Sequence, residues 1–307
     1  MFGMRQDGRA LKTGIDPITR LTPYIMVERS DAQCYCTQYA DADILQKYVR
    51  EKRAEGRRMS QMEVIIAAYV RMLAYMPELN RFVVGKTLYS RNELCVSFAM
   101  VKIRGKNDFL ETTVKIYFDP ARDTVFDVSE RIQETVKKNR AVAASNSTDK
   151  IANGLFNIPG LALIGTGFLK FLDRIGLLPR MVLDASPLHT SMFITNMASI
   201  GMNALHHHIY NFGTTSVFLG LGNKVNKVKV DREGKITVKK FYPIAATIDE
   251  RICAGSVYGL AFDSLDRFLR HPELLETPPD PADVRYDDKA EYHYIDGKRI
   301  RGALEVK

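Results

Sequence analysis

The sequence predicts an α+β domain built on a mostly antiparallel, mixed sheet, and three observations carry that prediction. Apolar runs at strand spacing and at helical spacing are mixed along the chain without strict βαβ alternation. The late strands are joined by hairpins, one of them turning at Asp231-Arg232-Glu233-Gly234. No internal repeat and no clear linker divides the 307 residues, a length that supports one large core.

The elements follow in order. Residues 1–23 read as a loosely held arm, with Gly3, Gly8, Gly14 and Pro17 among many polar groups. Residues 24–28 and 33–39 read as strands, aromatic and β-branched between polar breaks. Asp41 caps a helix over 41–55, in which Ile44, Leu45, Tyr48 and Val49 recur at helical spacing. Ser60 and Glu63 form a capping box that opens a largely buried helix through Tyr75, and Pro77-Glu78-Leu79-Asn80 ends it. Strands are expected at 81–84, 87–89, 94–103 and 110–118, the last two joined at Gly105-Lys106-Asn107-Asp108. A helix starts at Asp127 or Ser129 and runs through Lys137, Lys138 and Arg140. Strands at 191–196, 215–221, 224–230 and 235–246 precede a closing helix over 257–269. The main domain is thus expected over 24–277, with a polar surface tail over 278–307 beginning at Pro278-Pro279.

Residues 155–183 stand apart. Leu161-Ala162-Leu163-Ile164, Phe168-Leu169 and Ile175-Gly176-Leu177-Leu178 are interrupted by Lys170, Asp173 and Arg174, so no uncharged run approaches the roughly 20 residues of a membrane span. The segment reads as a packed helical hairpin, as an apolar lid over an acyl chain, or as a membrane-surface contact.

Composition narrows the class. Apolar and charged fractions of 46% and 26% are those of an ordinary soluble protein. Four cysteines, two of them in Cys34-Tyr35-Cys36, make neither a disulfide framework nor a zinc site. With no apolar core region in residues 1–20, a reduced cytoplasmic compartment is expected. The net charge of +8 is spread out and interleaved with acids, which argues against a nucleic-acid groove and suits an anionic small molecule. There is no Gly-x-Ser-x-Gly, no phosphate loop and no Rossmann glycine pattern.

Four stretches together resemble the catalytic domain of the 2-oxoacid dehydrogenase dihydrolipoyl acyltransferases, and more distantly chloramphenicol acetyltransferase. Met76-Pro77-Glu78-Leu79-Asn80 is similar to the family's P-x-L-N. Phe193-Ile194-Thr195-Asn196 is similar to its T-I-S-N, and Val217-Phe218-Leu219-Gly220-Leu221-Gly222 to its A-I-L-G-V-G. Residues 234–269 align without a gap to its hairpin, its S-x-D-H-R-x-x-D-G motif and its final helix. The resemblance implies a chloramphenicol acetyltransferase-like two-layer sandwich and a homotrimer with active sites in channels between subunits. It also implies acyl transfer to or from a thiol, with coenzyme A as the acyl carrier. No lipoyl attachment domain or partner-binding segment is expected ahead of residue 24, and 155–183 reads as extra material relative to the family.

At the motif the chain departs from its relatives. Asp249, Arg251 and Gly255 match, but Glu250 stands at the histidine position and Ala254 at the aspartate position. In the family the histidine takes the thiol proton, and a Ser or Thr hydroxyl, here Thr195, stabilises the oxyanion. Three readings follow. Glu250 acts as the base if burial raises its pKa. The base comes instead from His206-His207-His208, with His207 or His208 nearest the chemistry and Asn196 beside Thr195 as a further candidate. Or acyl transfer is lost, leaving an acyl- or coenzyme A-binding or scaffolding homologue. The histidines also read as a satisfied polar patch, and Asp249–Arg251 as a structural pair joining subunits. Adjacent histidines cannot all face one way, so no metal site is expected.

Overall fold

The structure is a computed structural model and describes residues 5–105, 108–140, 157, 161–230, 233–287, 292–295 and 298–301. Its strands are β1 (Gly8–Ala10), β2 (Gln33–Asp41), β3 (Arg81–Val84), β4 (Thr87–Arg91), β5 (Leu94–Gly105) and β6 (Asp108–Phe118). After them come β7 (Met192–Asn196), β8 (Val217–Leu221), β9 (Val225–Val230), β10 (Ile236–Asp249), β11 (Tyr292–Ile295) and β12 (Lys298–Arg301). The helices are α1 (Pro17–Ile25), α2 (Ala42–Ala54), α3 (Gln61–Tyr75), α4 (Val125–Asn139), α5 (Leu161–Arg174), α6 (Arg180–Ala185) and α7 (Gly255–Arg270).

The main sheet runs β2-β10-β8-β7-β5-β6, with β9 paired on the first half of β10. Only β5–β7 and β7–β8 are parallel within it; the other pairs are antiparallel. This is the expected mixed, mostly antiparallel sheet, and α2, α3, α4 and α7 cover one face to complete a two-layer α+β sandwich. Because strand side chains alternate between faces, Met192, Ile194, Leu219, Leu221, Ile244 and Ile248 enter the helix-covered core. Phe193 and Phe218 point the other way and pack with Ile209 in a separate small cluster. The second face carries the site described below.

Local chemistry explains the helix starts. Asp41 caps α2, its carboxylate accepting from the amides of Asp43 and Ile44. Ser60 and Glu63 close the capping box on α3, whose residues 63–74 are all buried, so this helix is the spine of the core. On α4 the box is Thr124 with Asp127, which moves the start to Val125, ahead of the expected Asp127 or Ser129.

Two further expectations are corrected. Residues 24–28 are not a strand: Asp16 accepts a hydrogen bond from the Thr19 amide and Pro17 pre-sets the first turn, so 17–25 wind into α1. Nor are residues 1–23 uniformly loose, since β1 pairs with β4 and Arg5 is buried against Asp7 and Asp173. Of the three readings of 155–183, the packed hairpin does not hold for α5, because its apolar side faces solvent at Leu163, Ile164, Phe168 and Phe171. Residues 155, 156, 158–160, Lys106, Asn107, Asp231 and Arg232 lie outside the described residues. The β9–β10 pairing itself, with Val230 opposite Ile236, is the expected hairpin. No helix among the described residues is long and apolar enough to cross a membrane.

Candidate active site

The site is assembled by an extended segment, residues 202–210, that crosses the second face of the sheet over β8. Two glycines make room for it. A Cβ on Gly220 would meet the Leu205 carbonyl oxygen at 2.3 Å, and one on Gly222 would meet the Ala204 nitrogen at 2.0 Å. No side chain fits at either point, so the glycines bring the histidine-bearing backbone down onto the strand.

Consecutive residues of an extended chain point to opposite sides, and here that separates the histidines. Thr195, Gly220, Ala245 and Thr37 form one row across β7, β8, β10 and β2. From above this row His207 reaches β7, its Nε2 lying 3.0 Å from Thr195 Oγ1. His206 reaches the other end, its Nε2 lying 3.0 Å from Thr37 Oγ1 with Tyr35 edge-on to the ring. His208 packs edge-on against Tyr210 and is exposed.

Of the three, His207 alone meets Thr195. Its ring stacks on Phe218 with centroids 4.7 Å apart and planes 20° from parallel, which holds the imidazole in one orientation. Partial burial, and next the charge of His208, push its pKa below the usual histidine value. The neutral imidazole is therefore the dominant form at neutral pH, the form that accepts a proton. Asn196 does not join them: its side chain accepts from the Ser199 amide and caps the short turn after β7.

The motif lies elsewhere. Ile248 pairs with Val217, three registers from the Gly220 that faces Thr195, and Glu250 lies two residues further on. At ~3.4 Å per residue this separates Glu250 from Thr195 by about 17 Å along the strands of one chain. The exposed Glu250 carboxylate accepts a hydrogen bond from the Cys34 thiol, Sγ to Oε2 3.1 Å. Burial first, and then this carboxylate, push the Cys34 pKa up to about 11, so the thiol stays protonated.

Asp249 and Arg251 form a frame. The Asp249 carboxylate is wholly buried and takes Arg251 as a fork, Nε to Oδ1 at 2.8 Å and Nη2 to Oδ2 at 2.7 Å. The two side chains meet within one chain. Arg29 adds a third partner, its Nε 3.3 Å from Asp249 Oδ2. The rest of the Arg29 guanidinium donates to the carbonyls of Tyr210 at 2.8 Å, Gly213 at 2.9 Å and Val83 at 2.9 Å. Gln33 Nε2 donates to the Ile209 carbonyl at 3.0 Å. The frame thus anchors the end of the histidine segment, although within this chain Glu250 itself is remote from Thr195. Gly255 begins α7, and Ala254 sits at its N-cap with no side chain to offer the free amides.

Arg29 and Phe218 were missed by sequence reasoning. Phe218 reads as one more strand apolar residue, and an arginine in a polar loop carries no signal of its burial. Gly220 and Gly222 were visible as part of the stretch similar to A-I-L-G-V-G, and not as room for a crossing backbone.

A cleft of about 500 Å³ lies apart from Thr195 and His207, between the end of α1, the β3–β4 turn and α5. Its floor includes Arg29 and Arg251, and its mouth includes Lys86, Lys170 and Arg174.

No protein family matches the sequence, and no curated protein is similar to it at the sequence level. Solved structures are similar in fold. The probable dihydrolipoamide acetyltransferase of Listeria monocytogenes shares 16% identity at a TM-score of 0.50, covering 85% of this chain and 94% of its own. The dihydrolipoamide acetyltransferase of Azotobacter vinelandii shares 14% at 0.52, covering 86% and 94%. A truncated catalytic core of the 2-oxoacid dehydrogenase multienzyme complex of Thermoplasma acidophilum shares 14% at 0.50, covering 85% and 99%. The chain therefore has the fold of the dihydrolipoyl acyltransferase catalytic domains, as the resemblance implied.

Proposed function

We propose that the protein transfers an acyl group between thiols, with coenzyme A as one carrier, and that Thr195 and His207 form its reacting pair. The observation that carries this reading is the 3.0 Å contact between the Thr195 hydroxyl and the His207 imidazole. Similarity of fold to acetyltransferase domains supports it, one of them studied for a serine, a histidine and an asparagine in its catalytic mechanism.

The chemistry is thioester exchange. The incoming thiol loses its proton to His207 Nε2 as its sulfur forms a bond to the acyl carbonyl carbon. The oxyanion takes a hydrogen bond from Thr195 Oγ1. Collapse breaks the original carbon–sulfur bond, and the imidazolium returns the proton to the departing thiolate. Lowered basicity suits His207 to both steps near neutral pH. Within one chain the Glu250 carboxylate does not reach Thr195: it is exposed, accepts from Cys34 and lies far along the sheet, which favours His207 as the base. A homotrimer fits the exposed apolar residues Val228, Val230, Ile236 and Val238 on the projecting β9–β10 hairpin, which another subunit would cover.

A second reading, a non-catalytic acyl- or coenzyme A-binding homologue, is favoured by the substitution at the motif position and by the cleft lying away from Thr195. Acyl-coenzyme A turnover, with and without a thiol acceptor, separates the two. Transfer is expected in the parent protein, with a loss of about 10²–10⁴-fold in His207→Ala and little change in Glu250→Gln. Turnover lost in Glu250→Gln but kept in His207→Ala would move the base. Coenzyme A binding by calorimetry without turnover on any acyl donor would establish the second reading.

A further inference from the structure

Two helices carry apolar stripes that face solvent instead of the core. On α5 the outward stripe is Leu163, Ile164, Phe168 and Phe171, exposed by 80%, 72%, 58% and 57%, and Ile175 and Leu177 continue it past the helix end. On α1 it is Ile18, Leu21 and Ile25, spaced three and four apart and exposed by 73%, 53% and 69%. A surface helix ordinarily buries such a stripe. Both helices border the 500 Å³ cleft, α5 through Lys170 and Arg174 and α1 through Val27 just beyond its end.

Charge says what covers this face. Lys170 and Arg174 lie one turn apart along the edge of the α5 stripe, at the mouth of the cleft. Lys86 joins them from the β3–β4 turn, 5.4 Å over the Tyr24 ring of α1. That turn holds Gly85 and Lys86 at φ 57° and 69°, a left-handed conformation uncommon for lysine. Among the described residues Glu28 is the one exposed acid lining the cleft, whereas the buried Asp173 is bonded to Arg5. A second copy docked about a two-fold axis would set these cations against themselves. Phenylalanine- and leucine-bearing stripes flanked by lysine and arginine match a helix lying in the plane of an anionic bilayer surface.

We infer that this face docks on an anionic phospholipid membrane, with α1 and α5 in the interfacial plane and a lipid phosphate entering the cleft beside Lys86, Lys170 and Arg174. The surface is separate from Thr195 and His207, and the inference stands whether or not the protein transfers acyl groups.

Flotation of the full chain tests it, with vesicles of phosphatidylcholine alone and of phosphatidylcholine mixed with phosphatidylglycerol. Binding to the mixed vesicles is expected to exceed that to phosphatidylcholine by about tenfold or more, and to fall in about 0.5 M salt. Lys170→Glu with Arg174→Glu should weaken it by at least about tenfold, and Phe168→Asp with Phe171→Asp should abolish it. All four substitutions are at exposed positions, and unchanged circular dichroism and Tm check that the variants remain folded. Equal binding to the two vesicle types, or full binding by the charge-reversed variant, overturns the inference. So does displacement from vesicles by millimolar inorganic phosphate, which would make the cleft a site for a free anion. A change of molecular mass by light scattering in the Phe168→Asp, Phe171→Asp variant, with no vesicle binding by the parent, would assign the stripe to a second copy.

Discussion

Replacing Gly220 with alanine perturbs the candidate site without touching any of its polar groups. The added methyl would lie 2.3 Å from the Leu205 carbonyl oxygen, where an ordinary contact is 3.4 Å or more, so the crossing segment must lift by about 1 Å. His207 is two residues along that segment. Its 3.0 Å contact with Thr195 would stretch to about 4 Å, beyond hydrogen-bond range. Overpacking of this kind costs roughly 1–3 kcal/mol, or about 2–5 °C in Tm for a chain of this size. The assay pairs thermal melting with NMR of the imidazole protons. The His207 resonances should lose the ring-current shift of Phe218, and its pKa should move back toward that of a solvated histidine. Gly259→Ala is the control, because the Cβ it would add to α7 meets nothing within 4 Å beyond the helix's own neighbouring backbone, and alanine favours the helix by about 1 kcal/mol. A Gly220→Ala protein with unchanged Tm and an unchanged His207 titration would refute the placement of the segment against β8.

Three more outcomes are expected. Asp249→Asn leaves two guanidinium groups buried against a neutral amide, which should cost about 3–5 kcal/mol and lower the urea midpoint by more than about 1 M. Ala254→Asp restores an acceptor at the N-cap of α7, and should raise stability by about 1 kcal/mol, read as a higher urea midpoint. Burial pushes the pKa of both His189 and His207 below the usual value, so between folded and unfolded values the unfolded chain binds more protons. Stability contributed this way is present above pH ~6.5 and is lost as pH falls below it. Melting across pH 7.5 to 5.5 should show that loss, and His189→Gln should show a shallower slope; an identical slope would reject the assignment.

Most of the layout could be read from the chain because its signals are local. Ser60 with Glu63 marks the start of α3, and the alternation along 191–196 and 215–221 marks β7 and β8. Local signals also misled where they competed. Tyr24, Ile25 and Val27 have strand character, but Asp16-Pro17 starts a helix that absorbs Tyr24 and Ile25 and leaves them exposed. Thr124 with Asp127 is a capping box that uses Asp in place of the usual Glu or Gln, which hid the start of α4. The meeting of Thr195 with His207 was legible only as a list of three histidines. Which one turns toward β7 depends on the path of a segment without regular structure, and that path depends on two distant glycines. Asp249 and Arg251 could be paired from their spacing, but their third partner, Arg29, is 220 residues away and could not be found that way.

Arg29 extends the reach of the frame within the chain. One guanidinium ties the carboxylate of Asp249 to the backbone of the histidine segment and to Val83, so loss of the aspartate would loosen three parts of the molecule at once. The Asp249–Arg251 pair therefore has a structural reason to be present in this chain, whatever residue stands between them. The two residues alone are no evidence of turnover in this protein.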